Sequence, residues 1–146
     1  MSLEEISHVL YQIKVADQKI IQIFEENIGL SLTRYELLTL LREKNPCSQN
    51  TLQSFLQIDQ GAVTRHLKLL ETKGYVTRQR NPLNNREVVV TLTAKAEEKL
   101  SNCEREHTDM ASILSPAFEP EEMSQLLVLL NKLNTQLSAI KTKEVE

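Results

Sequence analysis

Residues 48–93 read SQNTLQSFLQIDQGAVTRHLKLLETKGYVTRQRNPLNNREVVVTLT, and the fold turns on how this stretch divides. Ser48 is a good N-cap. Leu52, Phe55 and Leu56 follow at spacings of three and four, so they share the inner face of a short helix. Ile58 follows as a core plug at the turn. Asp59 suits the positive end of a second helix, about Gln60 to Lys73. Val63, Leu67 and Leu70, helped by Ala62, point inward, leaving Gln60, Gly61, Thr64, Arg65 and Lys68 outside. Gly74 stops that helix as a C′ residue would. Tyr75–Thr77 and Val88–Leu92 are rich in β-branched residues and read as strands. Between them RQRNPLNNR, with Pro82 and three Asn, suits a turn. Helix, turn, helix, strand, tip and strand make a helix-turn-helix followed by a β-hairpin wing.

Such an arrangement points to duplex DNA. An α-helix fits the major groove, and its N-terminal side chains reach base edges. Arg65 can pair with guanine and Gln60 with adenine, while the Thr64 methyl can touch thymine. His66 either meets a phosphate or packs partly inward. Arg78, Arg80 and Arg86 make the hairpin positive, and an Arg at a hairpin tip can enter the negative minor groove. Between Gly61 and Lys95 seven Lys and Arg face two Glu, a net of +5. The remainder holds ten against eighteen, a net of −8, so an overall charge of −3 hides a basic segment. Singly, each of these cations is an ordinary solvated residue; together, on this segment, they are the mark of a phosphate-binding face.

The 146 residues suffice for one domain with a dimerisation arm. With three Gly, four Pro and no Trp, the composition favours long helices around a Leu, Ile and Val core. Leu3, Ile6, Val9/Leu10, Ile13, Ile20 and Ile23/Phe24 recur at helical spacing and predict a helix from Leu3 to Asn27. That stripe is long for a helix covering a small winged lobe, so part of it is expected to pack on another chain. Thr33 and Glu36 have capping-box spacing and open a second helix carrying Leu37, Leu38, Leu40 and Leu41, which Asn45-Pro46 ends. Thr93 caps a further helix with the seam Ala96, Leu100, Cys103, His107, Met110 and Leu114. Ser115-Pro116 stops it, and Glu119-Pro120 starts the last helix with Pro at its first position. The last seam is Met123, Leu126, Leu130, Leu133, Leu137 and Ile140. These two helices and the first one predict a homodimer interface, with Ile6, Leu10, Met123, Leu126, Leu130, Leu133 and Leu137 in it. Two recognition helices on a dyad would read half-sites roughly 34 Å apart, hence an imperfect palindrome.

The chain resembles the MarR (multiple antibiotic resistance regulator) family of bacterial winged-helix regulators. The resemblance lies in QGAVTRHLKLLETKGYVTR at 60–78, NPLNNREVVVTLT at 81–93 and FEPEEMSQLLVLLNKL at 118–133, and it spans nearly the whole chain. It implies a single domain over 1–146: a DNA-binding lobe at 30–93, with 1–29 and 94–146 as dimerisation helices. It further implies a homodimeric transcription regulator, a repressor, with residues 59–73 in the major groove and the wing in the minor groove. The family's wing tip usually carries Asp, one residue and Arg, the Asp holding the Arg. Here those positions are Asn84, Asn85 and Arg86, so the hold lacks charge assistance. Ala96 stands where many relatives have Gly, a change a helix accepts.

The resemblance also implies release by a small molecule, a phenol in some relatives, or by an oxidant. A ligand site would draw on the first two helices near Arg34 and Tyr35, although Tyr35 fits the core equally well. Cys47 follows Pro46 near a helix start, which can lower a thiol pKa, while Cys103 lies on an apolar seam. Cys103 and His107 are four apart, as two metal ligands on one helix face would be, but no third ligand clusters with them. No metal and no cofactor are expected. No nucleophile motif or phosphate-binding Gly loop appears, so no enzyme is expected. Neither a basic, apolar leader nor a bilayer-length apolar run is present, which reads as a cytoplasmic protein without a membrane partner. The rival class is a winged helix serving protein–protein assembly alone; it leaves the basic recognition face without a purpose.

Overall fold

The computed structural model describes residues 1–106, 111, 112 and 114–140. The chain divides into two compact units, Met1–His107 and Thr108–Glu146. The first unit begins with α1 (Leu3–Ile28), opened by a reciprocal capping box between Ser2 and Glu5 and closed by Gly29 at φ 78°. Ile28 is the one buried residue of α1, and the predicted apolar stripe is otherwise exposed or half-buried.

The second helix, α2 (Leu32–Glu43), starts two residues earlier than its sequence pattern predicts. Ser31, not Thr33, is the N-cap, its hydroxyl accepting from the Arg34 N–H. The residue three beyond the true cap is therefore Arg34, and the expected box with Glu36 does not form. Leu37, Leu38 and Leu41 are fully buried. A two-residue strand, β1 (Cys47–Ser48), then leads into α3 (Gln49–Leu56), capped as expected by Ser48. Leu52 is buried, but Phe55 is 55% exposed with the Lys44 ammonium 4.7 Å from its ring centroid, a correction to its predicted inward place. Ile58 is half-buried.

The recognition helix, α4 (Gln60–Thr72), takes its cap from the Asp59 carboxylate, which accepts from the Ala62 N–H at 2.7 Å. Val63, Leu67 and Leu70 are fully buried, as predicted. Gly74, at φ 80°, ends the helix: its N–H donates to the Glu71 carbonyl and the Tyr75 N–H to that of Leu70, the Schellman pattern.

The wing strands are longer than predicted: β2 (Val76–Asn81) and β3 (Asn84–Leu92) leave only Pro82 and Leu83 as the turn. Residues 78–81 and 84–86, expected as a tip, are strand because Asn residues beside the turn bond locally while the backbone stays paired. Asn81 Oδ1 accepts from the Leu83 N–H, and Asn84 Oδ1 from that of Arg86. The antiparallel sheet has the order β1-β3-β2, with Cys47 opposite Val90, Val76 opposite Leu92 and an irregularity between Arg80 and Asn81.

Thr93 leads into α5 (Ala94–Glu106), its hydroxyl accepting from the Ala96 N–H and donating to the Gly74 carbonyl. Ala96, Leu100 and Cys103 are buried within this first unit, where α5 packs on α2. That part of the predicted seam is thus covered inside the unit. His107 and Met110 lie outside the described residues. In the second unit α6 (Pro120–Ala139) starts with Pro at the first turn, as expected, and none of its residues is buried.

Candidate nucleic-acid interface

The outer face of α4 is fixed by its inner one. With Val63, Leu67 and Leu70 buried, the 3.6-residue period exposes Gln60, Gly61, Arg65 and Lys68. Among the described residues the Arg65 guanidinium and the Lys68 ammonium have no hydrogen-bond or ion-pair partner. At Gly61 a Cβ would sit 3.2 Å from Asp59 Oδ1 and 3.3 Å from the Arg65 guanidinium. The glycine gives both side chains room and presents bare backbone at the helix start.

Thr64 is half-buried and its hydroxyl is already occupied. It donates to the Gln60 carbonyl and accepts from Gln49 Nε2, both at 2.9 Å. Gln49 is a buried polar side chain at the start of α3. The relay from Gln49 through Thr64 to Gln60 sets the pitch of α4 against α3, leaving the Thr64 methyl for any base contact. Sequence reading missed Gln49, since a lone Gln at a helix start carries no signal of burial.

His66 turns toward α2, where its Nδ1 accepts from Arg34 Nε at 3.3 Å. An accepting Nδ1 carries no proton, so the ring is neutral with its proton on Nε2. Burial, then the charges of Arg34 and Arg65, lower its pKa from the ordinary 6.5. The partly packed alternative for His66 thus describes its place here.

Three wing arginines have three different positions. Arg78 donates through Nε and Nη2 to the Glu71 carboxylate at 3.4 and 3.2 Å, tying β2 to α4. That contact holds the exposed Glu71 below its usual range. Arg80 Nη1 donates to the Asn85 carbonyl at 2.7 Å, across the hairpin. Arg86 is exposed, and among the described residues its guanidinium has no partner. Asn84 does not hold that guanidinium; it accepts from the Arg86 backbone instead. Lys95, outside the predicted set, donates to the Lys73 carbonyl at the negative end of α4. Of the arginines and lysines named for DNA, Arg65, Lys68 and Arg86 are uncommitted, while Arg78 and Arg80 brace the framework.

The cysteines are both buried, and burial pushes both thiols up, the opposite of a reactive thiolate. Tyr35 packs edge-on against Phe24, ring centroids 5.5 Å apart. No group of three or more metal-ligating side chains occurs among the described residues, and no helix there is long and apolar enough to cross a membrane.

A recognition helix with an outward polar face, followed by a braced two-stranded wing, defines a winged helix-turn-helix DNA-binding protein. The MarR family model matches residues 30–88. The HTH-type transcriptional regulator YdgJ of Bacillus subtilis (strain 168) is 36% identical over 136 residues, 93% of this chain and 83% of that protein. A crystal structure of a mutant MarR from E. coli complexed with operator DNA aligns with a TM-score of 0.78 at 27% identity, over 91% of this chain and 99% of the other. The transcriptional regulator BldR from Sulfolobus solfataricus aligns with a TM-score of 0.75 at 27% identity, covering 96% and 99%. The chain belongs to the MarR family and is a transcriptional regulator.

Thr64→Val keeps the shape of the side chain but strands the buried Gln49 amide. It should cost about 1–3 kcal/mol of stability in urea denaturation; an unchanged midpoint would show that the relay contributes nothing. The lowered pKa of His66 carries a second expectation. Below 6.5 the unfolded chain takes up a proton that the folded ring resists, so this contribution is complete above that pH and is lost as pH falls toward the folded value. His66→Gln keeps an acceptor for Arg34 without titrating, and its stability should fall less steeply with acidification than that of the parent. Parallel pH profiles would remove His66 as the source.

Proposed function

We propose that the protein is a homodimeric repressor that reads an imperfect palindrome in double-stranded DNA. The observation that carries the reading is the trio of uncommitted cations, Arg65 and Lys68 on α4 and Arg86 at the wing. They lie on a chain similar to a MarR crystallised with operator DNA. In this reading α4 enters the major groove. Gln60, Arg65 and the Thr64 methyl address bases there, while Gly61 and Lys68 approach the backbone. Arg86 enters the minor groove, where potential is most negative.

Dimerisation supplies the second half-site. Leu10, Met123, Leu126 and Leu137 are exposed in the single chain and Ile6, Leu130 and Leu133 half-buried, so each keeps apolar surface for a partner. Residues 1–29 and 94–146 supply the dimerisation helices around a lobe at 30–93, with the buried start of α5 also serving as that lobe's wall. A dimer filling both grooves excludes other proteins from the same DNA, hence repression. Release by a small molecule is favoured over an oxidant, since Cys47 and Cys103 are both buried.

Fluorescence anisotropy against a duplex from upstream of its own gene, and against a pool-selected palindrome, tests the reading. The expected result is tight binding that scrambled competitor does not displace and that weakens with salt. Arg86→Ala should reduce affinity for all sequences and lower the salt slope by about one per wing. A charge at mid-seam, Leu130→Asp, should give monomers in sedimentation. Equal affinity for selected and scrambled duplexes would overturn the DNA reading, and an intact Leu130→Asp dimer would remove the α6 seam from the interface.

A further inference from the structure

The apex of the wing is apolar. Leu83 is 96% exposed, flanked by Pro82 and Asn84 in a turn whose shoulders carry Arg80 and Arg86. Lone exposed leucines are common on protein surfaces, but this one is held out in a defined place. Its N–H is tied to Asn81 Oδ1, the Arg86 N–H to Asn84 Oδ1, and Arg80 to the Asn85 carbonyl across the strands. A proline beside it restricts the turn further. The side chain therefore projects from a braced hairpin whose two strands carry Arg80 and Arg86 on either side of the turn.

The minor groove of duplex DNA has the matching chemistry. Its rims are anionic phosphates, suited to Arg86, and its walls are the C–H groups of deoxyribose, suited to a leucine. Its floor differs between base pairs in one main respect: G·C pairs add the guanine N2 amino donor. An apolar side chain pressed over that amino group removes it from water without a replacement acceptor, a cost A·T pairs do not incur.

We propose that Leu83 is a specificity-determining residue of the wing: it seats in the minor groove and selects against guanine beneath the hairpin tip. The inference rests on the reading of the protein as an operator-binding regulator with its wing in the minor groove. It differs from the role of Arg86, which responds to negative potential and groove width rather than to a single exocyclic amine.

The test uses the full-length protein and its selected operator. Base pairs protected by the parent but not by Arg86→Ala in hydroxyl-radical footprinting mark the wing contact. Those pairs are then made A·T, G·C or inosine·C, the last having the G·C groove without the N2 amine. The parent should bind the G·C form about tenfold more weakly, the low end of the cost of an unpaired buried donor, and the inosine·C form as well as A·T. Leu83→Ala should bind the A·T form several-fold more weakly with an unchanged salt slope, because no phosphate contact is lost, and should discriminate less. Leu83→Asn, whose side-chain oxygen can accept from the guanine amine, should recover the G·C form. At 96% exposure nothing packs on Leu83, so the variants fold as the parent does.

Equal affinity of Leu83→Ala and the parent on all three duplexes would overturn the proposal. So would a parent that penalises inosine·C as much as G·C, since the amine would then not be the feature read. A parent that fails to separate the unmodified operator from scrambled DNA would instead remove the DNA reading on which the proposal rests.

Discussion

Val63, Leu67 and Leu70 hold one side of α4 entirely away from water, and the use of the opposite side depends on that burial. Burying a leucine or valine side chain is worth roughly 1.5–3 kcal/mol, so rotating the helix to present a different polar face would give up several kcal/mol. The outward set is therefore determined in rotation by the core. Asp59 and Gly74 determine its two ends, and Gln49 determines its pitch through Thr64. A helix so constrained presents the backbone positions of Arg65 and Lys68 in a fixed place, so that binding has only their side chains to order.

The charges divide by task. Arg78 is bonded to Glu71, Arg80 crosses the hairpin, Arg34 holds His66, and Lys95 caps α4. These cations act within the molecule, while Arg65, Lys68 and Arg86 face outward, unmatched among the described residues. A count of basic residues between Gly61 and Lys95 treats all seven alike, and only geometry separates the braces from the probes. An overall negative charge does not contradict a phosphate-binding face, because the field that matters is local and falls off over about 10 Å at moderate salt.

The order of elements, the caps at Ser48 and Asp59, the turn at Gly74 and the inward stripe of α4 were legible from residues 48–93, because each is a local signal. What was not legible came from contacts distant in sequence. Gln49 meets Thr64 fifteen residues away, and Arg34 meets His66 thirty-two away; neither residue type announces burial or pairing. β1 is two residues long, too short for any periodicity. Spacing alone places Phe55 inward, yet α3 is only eight residues long and Gln49 and Leu52 take its buried side. Thr33 and Glu36 match the capping-box spacing, but the helix begins two residues earlier, where the Ser31 hydroxyl accepts from the Arg34 N–H. In the wing, asparagines suit a turn better than a strand, yet Asn81 and Asn84 close the turn from within paired strands.

The short strand β1 has a mechanical consequence. It edges β3 through Cys47 and Ser48, and Asn45 Oδ1 accepts from the Leu92 N–H at 3.0 Å just beyond. The inner strand of the wing is thereby stitched to the connection between α2 and α3, while its outer strand is linked to α4 through Arg78 and Glu71. The hairpin is tied on both flanks at its base, with the strands beyond Arg78 and Val89 hydrogen-bonded, among the described residues, only to each other. The joint between α2 and α3 is thus also the seam along which the wing meets the helices, and a change in that joint reaches β3 before it reaches β2.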